Sequence, residues 1–124
     1  MGGHIIYQMP KYINSIDFLI PILGAPDLKR HYNDNKLSLL GNVLLKSLDD
    51  WWDRLSVSTL AYSPTTKILI IEGELDTIVD YRNANSFYQK LISFGHKFIQ
   101  FSLYPVGHEM TPRMESEIAE FIVP

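Results

Sequence analysis

Two kinds of apolar pattern alternate along the chain: unbroken runs, and runs with the 3.6-residue period of a helix. Lys67-Ile68-Leu69-Ile70-Ile71-Glu72, ending at Gly73, is the clearest unbroken run, and its β-branched residues predict a strand covered on both faces. Ile16 to Leu23, interrupted only by Asp17 and Pro21 and followed by Gly24-Ala25-Pro26-Asp27, predicts a second such strand, and Lys97 to Tyr104 a third. Between the Lys67 and Lys97 strands, Asp80 can cap a helix running to Phe94, with Ala84, Phe87, Tyr88, Leu91 and Ile92 on one face and Gly95 as its stop. Thr111 followed by Pro112 opens a final helix carrying Met114, Ile118, Phe121 and Ile122.

Residues 27 to 64 are charged and Asn-rich as far as Lys36. They then show a helical pattern of Leu37, Leu40, Leu44, Leu48, Trp51, Trp52 and Leu55, a helical excursion between strands that closes at the turn Ser63-Pro64-Thr65-Thr66. Met1 to Pro10 reads as a short helix stopped by Pro10. It opens on Gly2-Gly3, an entropically costly start unless something must approach the backbone closely. Strand, helix, strand, helix predicts a right-handed parallel α/β unit, without internal repeats.

Composition supports one domain over residues 1–124, with 46% hydrophobic and 20% charged residues. A chain of this length buries about two-thirds of its unfolded surface, enough for a core without staples. The net charge of −3 and the absence of any basic cluster longer than Lys29-Arg30 argue against nucleic acid as a partner. No apolar run reaches the roughly 18 residues needed to cross a bilayer, and the N-terminus lacks a signal-peptide pattern, so a soluble cytoplasmic protein with no membrane partner is expected. Cysteine is absent, which excludes disulfides and thiolate chemistry. His4, His31 and His96 lack metal-ligand spacing with one another and with His108, so neither a metal nor a cofactor is expected.

In open α/β sheets ligands gather beyond the carboxyl ends of the strands, so the loops after Glu72 and Tyr104 are where chemistry belongs. Asp76 stands four residues past one strand and His108 four past the next, within Gly73-Glu74-Leu75-Asp76 and Pro105-Val106-Gly107-His108-Glu109. If the two strands are adjacent and parallel, both side chains emerge on one sheet edge. Taken singly, Asp76 is good turn chemistry and His108 a loop histidine; the pair is what points to catalysis. Glu74 and Glu109 read as solvated, and Trp51-Trp52 as packing residues or as the lining of an acyl pocket.

These segments resemble the C-terminal part of the α/β-hydrolase superfamily, in its esterase, dienelactone-hydrolase and prolyl-oligopeptidase-like branches. The resemblance rests on Lys67 to Asp76, on the helix Asp80 to Phe94 ending at Gly95, on Tyr104-Pro105-Val106-Gly107-His108-Glu109, and on Met1-Gly2-Gly3, which is similar to the second half of a Gly-x-Ser-Met-Gly-Gly nucleophile elbow. It implies a partial α/β-hydrolase fold of three mainly parallel strands with flanking helices and a lid-like helical insertion at 27–64. It also implies that Asp76 is the triad acid, His108 the general base and the backbone amide of Met1 an oxyanion donor. The nucleophilic serine would stand immediately before residue 1, and no serine in the sequence lies in a Gly-x-Ser-x-Gly frame.

The resulting expectation is a relative of serine carboxylesterases and acyl hydrolases that keeps the acid and base, lacks the nucleophile and is inactive alone, with a small ester or acyl compound as substrate. The rival is a non-catalytic interaction module. In the family's strand order Ile16 to Leu23 would be a bare edge, so association is expected, with a second copy or with an N-terminal half. A small enzyme in which His108 activates water directly is the third possibility.

Overall fold

The run from Lys67 to Gly73 forms the central strand, because its side chains alternate between two apolar layers and none of them from Ile68 onward can reach water. The computed structural model describes residues 2–34, 57 and 59–124. In chain order the elements are α1 (Gly2–Gln8), β1 (Phe18–Leu19), α2 (Leu28–Asp34), β2 (Lys67–Gly73), α3 (Tyr81–Ser93), β3 (Ile99–Tyr104) and α4 (Pro112–Ile122), with short 3-10 turns at Met9–Lys11 and Thr59–Ala61. The sheet order is β1-β2-β3 and both pairings are parallel.

Ile68 and Ile70 pack against Tyr7 of α1, Tyr62, and Ala84, Phe87 and Leu91 of α3. Leu69 and Ile71 pack on the opposite face against Met114, with Ile118 and Phe121 of α4 alongside. This is the double covering that an unbroken apolar strand requires. Phe87 meets the rings of Tyr7 and Tyr62 edge-on, with centroids 5.2 and 5.3 Å away. The Tyr62 hydroxyl donates to the carbonyl of Tyr7 at 2.7 Å, fixing the end of α1 to the chain that enters β2.

Both long helices begin where their caps predict. Asp80 accepts from the Arg82 amide at 3.0 Å and Thr111 from the Met114 amide at 3.3 Å. α3 ends before Gly95, whose φ is +85°. Two expected apolar positions face solvent: Ile92 is 43% exposed and Ile122 46%. Each lies one residue, about 100°, around the helix from the side chain that meets the core, Leu91 or Phe121, so each falls off the face that touches the sheet.

The strand expected over Ile16 to Leu23 is a correction. Only Phe18 and Leu19 form regular pairs with β2, followed by an isolated bridge from Ile22 to Ile71. Pro21 has no N–H to give the ladder, although its carbonyl still accepts from the Ile71 amide at 3.1 Å. Leu23 then turns the chain away at φ 52°. β3 starts at Ile99 rather than Lys97. Within the expected helical excursion at 27–64, α2 is the described helix; Leu37 to Leu55, including Trp51 and Trp52, lie outside the described residues, as does Met1.

Gly3 of the N-terminal glycine pair has a packing reason. A β-carbon on Gly3 would stand 2.5 Å from the Gly24 Cα, and one on Gly24 2.7 Å from the Gly3 Cα, so α1 and the turn after β1 touch backbone to backbone. No helix among the described residues is long and apolar enough to cross a membrane.

Candidate active site

Because β2 and β3 are adjacent and parallel, the loops after them leave the same edge of the sheet, and backbone bonds lock them together. Glu74 N–H donates to the Tyr104 carbonyl at 2.8 Å and Leu75 N–H to the Val106 carbonyl at 3.0 Å. Asp76 and His108 are thereby brought into contact: His108 Nδ1 lies 2.7 Å from Asp76 Oδ2.

The carboxylate is held at both ends. Oδ1 accepts from the amides of Ile78 and Val79 at 2.8 and 2.9 Å, leaving Oδ2 for the imidazole. The Asp76 side chain is fully buried and that of His108 37% exposed, so the acid is shielded while the base opens outward. A carboxylate on Nδ1 selects the tautomer protonated there and leaves Nε2 as the proton acceptor. Among the described residues, no serine or threonine hydroxyl is hydrogen-bonded to His108.

His108 opens onto a cavity of about 230 Å³ bounded by Gly3 and His4 of α1, the Ile22–Ala25 turn, α2, and Ile78 and Val79. His31 of α2 lines the same space, and its imidazole is pushed below the usual histidine range chiefly by burial. His4 is buried, with Nδ1 2.9 Å from the Ala25 carbonyl, which binds α1 to the turn after β1. Glu74 and Glu109 are exposed. The backbone amide of Met1, assigned to the oxyanion site by resemblance, belongs to a residue outside the described ones.

Sequence reasoning missed Glu72. It is 0% exposed at the end of β2, with Oε1 accepting from the Gly24 amide at 3.2 Å and Oε2 without a partner. Burial pushes its carboxyl up to about 9, with the Gly24 hydrogen bond opposing and the nearby Asp76 charge reinforcing the rise. The signal was present in the period of two, which puts Glu72 on the face of Ile68 and Ile70.

No protein-family model matches the sequence, and no curated protein matches it. Among solved structures, acyl-protein thioesterase 2 of Zea mays superposes with a TM-score of 0.60 at 15% identity, over 97% of this chain and 48% of that one. A bifunctional GH43-CE chain of Bacteroides eggerthii gives 0.63 at 21% identity, over 90% of this chain and 17% of that one. The chain therefore spans about half the length of the first and a sixth of the second. At such identities the likeness speaks for the fold alone, and with the parallel three-stranded sheet and its flanking helices it gives the conclusion that this chain has a partial α/β-hydrolase fold.

Proposed function

We propose that this chain is the acid–base portion of a serine acyl hydrolase acting on a carboxylic ester or thioester. The observation that carries the reading is the 2.7 Å contact between Asp76 Oδ2 and His108 Nδ1 at the carboxyl end of two parallel strands. In this reading His108 Nε2 removes the proton from a serine hydroxyl as it attacks the acyl carbon, and returns it to the leaving group. Asp76 holds the ring and stabilises the imidazolium formed in between. The cavity beside His108 receives the substrate, and the Met1 amide contributes to the oxyanion site.

No serine of the 124 residues stands in a Gly-x-Ser-x-Gly frame, so the reading takes the nucleophile from outside this sequence and expects the chain alone to be inactive. The test joins an N-terminal hydrolase half ending in Gly-x-Ser in frame to residue 1 and measures ester and thioester hydrolysis. The expected activity falls about 10⁴-fold in Asp76→Asn and is lost in His108→Ala. A fusion that folds, binds the acyl substrate and remains inert would overturn the reading.

A second reading, association of this chain with another polypeptide through the outer edge of β1, which pairs with no further strand among the described residues, is favoured by the exposed apolar side chains just before it: Ile5, Tyr12 and Ile13 are 55%, 74% and 42% exposed. Light scattering at micromolar concentration tests it. A mass of twice 14.3 kDa or more is expected, and a folded monomer whose residues 16–23 exchange amide hydrogens slowly would remove it.

A further inference from the structure

We propose that Glu72 is carried as a neutral carboxylic acid and is the positioning residue that holds the Leu23–Ala25 turn against α1, and with it one wall of the cavity onto which His108 opens. The inference does not depend on hydrolysis; it rests on the proposed function only for what that cavity receives.

The geometry selects the neutral form. Glu72 is completely buried on the Ile68 and Ile70 face of β2, and the hydrogen bond it makes is the single one from the Gly24 amide to Oε1. A buried carboxylate needs a cation or several donors, whereas a carboxylic acid needs one acceptor for its proton. No lysine, arginine or histidine forms an ion pair with Glu72 among the described residues. Among the described residues, Oε2 and the Tyr7 hydroxyl are the buried side-chain polar atoms left without a partner, so no donor there offsets a negative charge on Oε2. The titratable groups acting in this region are Tyr7 of α1, whose hydroxyl is pushed up by burial and then by Glu72, and Asp76 in the loop after β2; Tyr62 acts on Tyr7 in turn. His4, also on α1, is engaged with the Ala25 carbonyl.

The consequence for the cavity follows from where Gly24 sits. Its amide is fixed by Glu72 while its Cα presses on Gly3, and Leu23 just before it holds the left-handed conformation. One buried acid thus pins the turn whose residues 22–25 bound the cavity opposite Ile78 and Val79. Ionisation would put a second negative charge close to Asp76 and strip the site of its proton donor.

The experiment compares the chain with Glu72→Gln and Glu72→Ala. In Glu72→Gln the amide oxygen still accepts from Gly24 and the amide nitrogen still donates, so the Gly24 amide resonance and its slow hydrogen exchange are expected to persist. In Glu72→Ala both are lost. Relative to Glu72→Gln, the unfolding equilibrium constant of the unmodified chain should rise about tenfold per pH unit between about pH 5 and 8.5, because the unfolded state releases the proton and the folded state keeps it. The infrared band of a protonated carboxyl, removed by Glu72→Gln, should be present at pH 7. Equal pH dependence in the two proteins, or absence of that band, would overturn the proposal. Should Glu72→Ala fail to fold, the comparison with Glu72→Gln still decides it, and none of these readouts depends on whether the chain belongs to a hydrolase.

Discussion

Gly73, the last residue of β2, lies so close to the His108 loop that a β-carbon built on it would stand 2.5 Å from the Gly107 carbonyl oxygen and 2.6 Å from that of Val106. Both obstacles are backbone, and both loops are already tied by the Glu74 and Leu75 amides. Gly73→Ala must therefore push the loops apart, at a cost of about 1–3 kcal/mol. Urea unfolding should show a lower midpoint with an unchanged slope, and the contact between Asp76 and His108 should lengthen in a structure of the variant.

Asp76→Asn isolates the role of the carboxylate without removing the side chain. The two amides that hold Oδ1 can still bond an amide oxygen, but Nδ1 of His108 then meets either a weaker acceptor or an N–H donor. The expected outcome is a shift of the imidazole from the Nδ1–H towards the Nε2–H tautomer, read from its ¹⁵N chemical shifts. An unchanged tautomer would mean that Asp76 does not orient the ring.

The chain as it stands, with His108 bonded to Asp76 and to no hydroxyl among the described residues, should hydrolyse a simple activated ester no faster than its His108→Ala variant. Saturable turnover that disappears on removing His108 would point instead to direct activation of water.

Tyr62→Phe keeps the edge-on contact with Phe87 and removes the 2.7 Å hydrogen bond to the Tyr7 carbonyl. That carbonyl sits in the buried layer between α1 and β2, so losing its donor should cost about 1–3 kcal/mol. Thermal unfolding should shift down by several degrees in a domain of this size, while Asp76 and His108, outside the Tyr7–Tyr62 cluster, keep their contact.

The sequence alone determined the elements whose causes are local. Asp80 and Thr111 start helices because a side-chain oxygen caps the first free amides, and Lys67 to Gly73 is a strand because an unbroken apolar run rich in isoleucine fits a position covered on both faces. The candidate pair Asp76 and His108 was legible for the same reason: Asp76 stands three residues past Gly73 at the end of one recognisable strand and His108 four past Tyr104 at the end of the next. Tertiary structure decided what depends on partners distant in sequence. Pro21 cut the expected strand at 16–23 to Phe18–Leu19 and a bridge at Ile22, since a ladder needs a donor that proline lacks. Ile92 and Ile122 face solvent because the sheet touches only the neighbouring rows of their helices. Alternation puts Glu72 on the same face as Ile68 and Ile70, but nothing in its neighbours along the chain says that the Gly24 amide, 48 residues away, will be the one donor it keeps.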